Sequence, residues 1–273
     1  VKLATFLPPG SDIARAGEVR GREVVSFPEG TSVRELLATG ADATADDEPF
    51  PLEEVRLLAP VPDPGAIYAI GLNYAAHASE TGGEPPESPI VFVKVRNSVA
   101  PPAGPVRCPA VVRRLDYEGE LTAVIGSGGA VAGYAVADDV SARDLQAREP
   151  QWTRAKGADT FCPWGPWVTT ADEVADPGTL RLRTWVNGEL RQDATTADLI
   201  FGIDELVAFL SETHTLSPGD LILTGTPAGV GVAMDPPQFL QTGDVVRIEV
   251  EGLGWIEHAV EAGGPSAARS RGR

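Results

Sequence analysis

The sequence predicts a mixed α/β protein that is mainly β, with one substantial core and a small N-terminal domain. Three observations carry that expectation. The 30 glycines and 24 prolines favour many tight turns over long helices. Apolar residues, 42% of the chain, fall in short runs or strict alternation more often than at helical spacing. The length, 273 residues, exceeds one average domain without reaching two large ones.

In chain order, Val1 to Phe6 and Glu23 to Phe27 read as short strands, and SVRELLATG as a short helix capped by Thr31 or Ser32 and stopped by Gly40. The acidic stretch ATADDEPFPLEE and the turn-rich APVPDPG place a boundary near residue 60, so residues 1–60 are expected as the small domain and 61–265 as the main one. IYAIGLN and PIVFVKV read as buried strands, and LDYEGELTAVIG and VAGYAVADDV as two more. After the helical stretch SARDLQAR, Asn187-Gly188 within LRLRTWVNGELRQ signals a type I′ hairpin. IDELVAFLSETHT is an amphipathic helix with Ile203, Leu206, Val207 and Leu210 on one face. LILTG and DVVRIEVEGLGWIEHAV finish the sheet, and residues 266–273, small and basic, read as a flexible tail.

Charge narrows the function. The 22 Lys and Arg against 39 Asp and Glu give a net charge of −17, which repels phosphate backbones and anionic lipid heads. Neither nucleic acid nor a membrane surface is therefore an expected partner. No run approaches the roughly 20 apolar residues of a spanning helix, and VKLATFLPPGSD lacks the order of a signal peptide, so a soluble, cytoplasmic protein is expected. Cys108 and Cys162 form no CxxC motif, and His77, His214 and His258 are too few for a histidine-rich transition-metal site. Any metal is expected to be held by oxygen.

The strand period singles out LDYEGELTAVIG, because alternation puts Asp116, Glu118 and Glu120 on one face, roughly 7 Å apart. Facing solvent, they would be screened and carry no function. Enclosed, they need a cation, and carboxylate oxygens select Mg²⁺, Mn²⁺ or Ca²⁺. Asp138-Asp139 ends the next apolar strand; one of the pair must face inward and can complete the set, although Asp138 alone also suits a helix cap. In GLNYAAHASE a short helix capped by Asn73 sets His77 and Glu80 at i and i+3. The carboxylate orients the imidazole and raises its basicity, so that it can take a proton from water; the same spacing also suits a surface ion pair. Lys156, in the aromatic surroundings of WTRAKGADTFCPWGPW, is either exposed or enclosed against an anion. LTGTPAGVG lacks the lysine of a P-loop. It is either a plain tight turn or one whose backbone N–H groups approach a small anion, with the Thr226 hydroxyl as a further donor.

The ordered series NYAAHASE, LDYEGELTAVIG, GYAVADDVSARDLQ, WTRAKGADTFCPWGPW, WVNGELRQ, LSPGDLILTGTPAGVG and TGDVVRIEVEGLG resembles the fumarylacetoacetate hydrolase family from about Ile67 to Val260. The likeness is to bacterial members with a small N-terminal extension, described as acylpyruvate hydrolases or 2-hydroxyhepta-2,4-diene-1,7-dioate isomerases. It implies a rolled β-sheet core, usually in a homodimer. It also implies Mg²⁺ or Mn²⁺, with Ca²⁺ a substitute in vitro, held by Glu118, Glu120 and Asp139, with Asp116 and Asp138 behind them. By the same resemblance His77 and Glu80 form a water-activating dyad on a lid segment, and Lys156, Gln146, Gly225 and Thr226 meet a small 2-oxo acid substrate. The family commonly carries an aromatic residue at the position of Ala158 and glycine at that of Cys162, which implies a pocket wall beside Lys156 wider on one side and tighter on the other.

The activity implied first is hydrolysis of a carbon–carbon bond in a 2,4-dioxo acid of the acylpyruvate or fumarylpyruvate type, through a metal-bound enolate. Isomerisation or decarboxylation of a related dicarboxylate passes through the same enolate, so the motifs leave these open. A catalytically idle metal-binding scaffold is the non-enzymatic alternative. The intact His77, Glu80 and Lys156 argue against it, since a scaffold needs only the carboxylates.

Overall fold

Apolar strands pair into two large sheets in the computed structural model, which describes residues 1–40, 44–45 and 49–263. The main sheet runs from Pro49–Pro51 through Glu23–Ser26, Arg15–Arg20, Lys2–Leu7, Cys162–Thr170, Val131–Asp138, Gly119–Ile125, Leu221–Leu223 and Ile67–Gly71 to Ile90–Lys94. The second is ordered Glu189–Thr195, Arg181–Val186, Val245–Val250, Gly254–Ala262 and Val106–Cys108. Lys2 and Leu3 pair with Thr169 and Val168, so the N-terminal strands continue the main sheet. The tail expected at 266–273 lies outside the described residues. Among the described residues no helix is long and apolar enough to cross a membrane.

Both faces of the main sheet are covered, as its near-continuous apolar runs require. Leu121, Ala123 and Ile125 pack in one cluster with Leu182, Ile248 and Ile256 of the second sheet. On the other face Val124, Leu223 and Val168 share a cluster with Val33, Leu36 and Leu37 of the helix Val33–Thr39. Ser32, not Thr31, caps that helix, accepting from Glu35 N while the Glu35 carboxylate accepts from Ser32 N at 2.9 Å. The Asn187-Gly188 turn has φ of 52° and 81°, both left-handed as the type I′ hairpin demands.

The amphipathic helix spans Ile203–Ser211 and buries Ile203, Leu206 and Leu210, with Val207 half-buried at the margin. Leu206 is fully enclosed, so Leu206→Ala is expected to lower unfolding stability by about 2–5 kcal/mol, read by urea denaturation. Two strand expectations change. PIVFVKV gives Ile90–Lys94, but at the sheet edge, which leaves Val93 exposed and Val91 and Phe92 half-buried. LDYEGELTAVIG is two ladders, Leu115–Asp116 and Gly119–Ile125, interrupted where Glu118 N turns to the Asp138 carboxylate at 2.8 Å.

Candidate metal centre and active site

Strand register assembles the carboxylates. Gly119 pairs with Asp138 in the antiparallel ladder, and Asp139 N donates to Glu118 O at 2.9 Å, so Glu118 and Asp139 are direct cross-strand neighbours. Glu120, two residues along, shares their face. All three side chains are buried, and their ligand atoms lie within 4.8 Å of one another.

Charge compensation among them is uneven. Lys156 Nζ bridges Glu118 Oε2 at 2.7 Å and Asp139 Oδ2 at 2.8 Å; Arg143 Nη1 reaches Glu118 Oε1 at 2.6 Å; and Lys94 Nζ reaches Asp139 Oδ1 at 2.5 Å. Among the described residues, Glu120 Oε2 accepts only from Gly225 N, at 2.7 Å. Burial pushes the Glu118 carboxyl up, but Lys156 and Arg143 beside it overcome this and hold the group below the ordinary carboxylate range. Burial first, then Asp139 and Glu118, push Glu120 well above that range, against weaker opposition from Lys156 and the Gly225 N–H. An enclosed, all-oxygen set with an uncompensated member fits a hard divalent cation.

This asymmetry fixes a pH dependence. Glu120, raised in the folded state, contributes stability that is present below the ordinary carboxylate pKa and lost as pH rises through its folded value. Glu118, depressed, contributes stability above the ordinary value that is lost as pH falls through its folded value. In chelator the melting temperature should therefore fall as pH rises above the ordinary carboxylate range, and Mg²⁺ should flatten that slope by keeping Glu120 ionised. Thermal unfolding across pH with EDTA or Mg²⁺ checks this; identical slopes would remove Glu120 from the cation site.

A layer of hydrogen bonds holds the ligands. Asp138 faces the second sheet, where its Oδ2 meets His258 Nε2 at 2.8 Å and its Oδ1 accepts Glu118 N. Asp116 does not join the cluster: it accepts from Arg143 Nε, Gly231 N and Val232 N at 2.8, 2.8 and 3.0 Å. His77 and Glu80 lie on the helix Ala75–Glu80, with His77 Nδ1 and Glu80 Oε1 2.8 Å apart. Asn73 does not cap that helix. Its amide instead bonds Phe201 O, Thr224 O and Phe201 N, tying the helix entry to two distant loops.

The glycine-rich turn is an anion cradle turned inward. Gly225 N donates to Glu120, Gly229 N to Glu80 Oε2 at 2.9 Å, and Gly231 N to Asp116. Gly225, expected to contact substrate, thus spends its N–H on Glu120. Gly229 must be glycine: its φ is +105°, and a Cβ there would run into the Arg191 carbonyl.

His77, Glu118, Arg143, Gln146, Lys156 and Thr226 line one cavity of about 320 Å³, walled by Trp152, Phe92 and Leu72. The Lys156 ammonium, enclosed as its aromatic surroundings allowed, sits 5.2 Å from the Phe92 ring centroid. Ala158 and Cys162 are not part of this wall: Ala158 packs against the core, and Cys162 is fully buried, its thiol pushed up to about 12 by burial. The altered pocket wall expected from those two residues is therefore not formed by them.

The family described as "Fumarylacetoacetate (FAA) hydrolase C-terminal" matches residues 66–261. The chain belongs to this family. It is 44% identical over 218 residues to the mitochondrial oxaloacetate tautomerase fahd2 of Xenopus laevis, covering 76% of this chain and 68% of the relative. A structure of 2-hydroxyhepta-2,4-diene-1,7-dioate isomerase from Mycobacterium marinum superposes with a TM-score of 0.80 at 34% identity, covering 97% of this chain and 99% of that one. A fumarylacetoacetate hydrolase from Exiguobacterium antarcticum superposes with a TM-score of 0.86 at 34% identity, covering 96% and 99%.

Within this member of the fumarylacetoacetate hydrolase family, the structure adds site residues beyond those picked from the sequence: Lys94, Arg143, Gln192 and His258. Arg143 pairs with Asp116 and Glu118 and reaches Gln146 Oε1 at 3.0 Å, while its Nη2 is buried with no partner among the described residues. A lysine inside the apolar run PIVFVKV was the one available signal for Lys94.

Proposed function

We propose that the protein is a divalent-cation-dependent enzyme that moves a proton on a 2-oxo acid, interconverting keto and enol or isomeric dienoate forms of an oxaloacetate-like dicarboxylate. The observation that carries this reading is the buried Glu118–Glu120–Asp139 set, whose Glu118 lines the same cavity as His77 of the His77–Glu80 pair. A cation held by the three carboxylates supplies Lewis acidity to a 2-oxo acid. The chain's own residues do the rest. The Glu80 carboxylate can only accept, so His77 Nδ1 carries the proton and Nε2 presents a lone pair, ready to take a proton from carbon or water. Arg143 and Lys156 hold the substrate's negative oxygens, and Gln146 adds a neutral contact.

The tautomerase and isomerase names of the relatives favour proton transfer over the hydrolysis expected first from the sequence. Carbon–carbon hydrolysis is kept as a second reading because the Exiguobacterium hydrolase shares the fold over nearly the whole chain, and the same His77 lone pair would activate water. Loss of enol absorbance from oxaloacetate, measured with Mg²⁺ or Mn²⁺ and with chelator, tests the first reading. Pyruvate release from acylpyruvates tests the second, and dienoates and oxaloacetate decarboxylation complete the panel. No cation-dependent turnover of any of these would end the enzyme reading. A cytoplasmic homodimer is part of the proposal, its assembly to be read by light scattering.

A further inference from the structure

Thr226 lines the cavity, yet its hydroxyl proton is committed elsewhere. Thr226 Oγ1 donates to Gly119 O at 3.0 Å and accepts from Gln192 Nε2 at 2.8 Å. The direction of these bonds is fixed by backbone groups that cannot reverse. Gly119 N–H, a donor only, meets Gln192 Oε1 at 3.1 Å, so the other arm of that amide is nitrogen. The same nitrogen donates to Pro227 O, an acceptor only, at 2.9 Å. Flipping the amide would set donor against donor at Gly119 and acceptor against acceptor at Pro227. Gln192 is buried, so no solvent would relieve either clash. Thr226 therefore accepts from Gln192, gives its single proton to Gly119 O, and keeps one lone pair.

Four neighbouring backbone donors are committed as well. The N–H groups of Gly225, Gly229, Gly231 and Val232 are taken by Glu120, Glu80 and Asp116. Lys156 and Arg143 line the same cavity and suit the negative oxygens of a ligand, with Arg143 Nη2 buried and without a partner among the described residues.

We infer that Thr226 faces the pocket as a hydrogen-bond acceptor, with Gln192 as the positioning residue that sets this polarity, so that the site selects at this point a ligand group bearing a proton. An alcohol or enol hydroxyl satisfies it; a carboxylate or keto oxygen does not. The polarity stands on the hydrogen bonds alone, whereas naming the partner as the enol hydroxyl of a 2-oxo acid rests on the function proposed above. An anion could take the Thr226 proton only by stripping it from Gly119 O, between the two glutamates of the metal set.

Calorimetric binding of malate and of 2-methoxysuccinate to the Mg²⁺-loaded protein tests this, since the two carry the same carboxylates and differ at one oxygen by its proton. Wild type should prefer malate by roughly fivefold to tenfold. Thr226→Val should erase that preference mainly by weakening malate, and Thr226→Ser should restore it. A preference that survives in Thr226→Val, or that favours the ether in wild type, overturns the inference. If neither acid binds, the 2-oxo acid reading fails, and neutron diffraction still decides the polarity. A Thr226 deuteron on the Gly119 O side supports it, and one aimed into the cavity overturns it.

Discussion

Glu120→Gln should weaken Mg²⁺ or Mn²⁺ binding by more than about a hundredfold and remove turnover, while the cation-free protein becomes more stable. The opposite signs follow from one environment. Glu120 is buried beside Asp139 and Glu118 and, among the described residues, is met only by the Gly225 N–H, so its charge is unfavourable until a cation arrives. Glutamine keeps the shape and the neutral hydrogen-bonding oxygen, and removes the repulsion together with the ligand. Glu118→Gln should also lose the cation but behave differently without it. Its carboxylate neutralises Lys156 and Arg143, so removing it leaves buried positive charge uncompensated and should destabilise the fold by about 3–5 kcal/mol. Calorimetric cation titration and thermal unfolding of both variants check the contrast. Unchanged cation affinity in Glu120→Gln would dismantle the metal centre.

Much of this centre was legible because it depends on local periodicity and a single hairpin register. Strand alternation places Glu118 and Glu120 on one side, and the adjacent strand ends at Asp139. The i, i+3 spacing of His77 and Glu80 was equally local. What periodicity cannot carry is the direction of a hydrogen bond made across the fold. The turn from Gly225 to Gly231 showed its capacity to bind anions, but the anions proved to be the protein's own carboxylates, brought from strands and a helix far away in sequence. Gln192 joins the ligand strand to that turn from a hairpin in the other sheet, and His258 reaches Asp138 from its penultimate strand. Neither residue stands in a local pattern that marks it out. Asn73 shows the same competition, since the expected helix cap lost to partners more than a hundred residues away.

His77→Asn should reduce kcat by about a hundredfold to ten-thousandfold with cation affinity unchanged, the size typical of a lost general base. The separation of effects is the informative part. His77 stands outside the Glu118–Glu120–Asp139 cluster, and asparagine cannot present a basic ring nitrogen where Nε2 stands. Glu80→Gln should fall between wild type and His77→Asn: the amide can still meet Nδ1 but no longer stabilises the imidazolium formed when Nε2 takes a proton. Glu80 also accepts Gly229 N, and an amide oxygen can keep that bond, so the variant tests the dyad without releasing the turn. Steady-state rates with saturating Mg²⁺ and calorimetric cation binding on each variant separate the roles. Near-normal kcat in His77→Asn would mean that the proton is moved by another group, and Lys156, between Glu118 and Asp139, would be the first residue to interrogate.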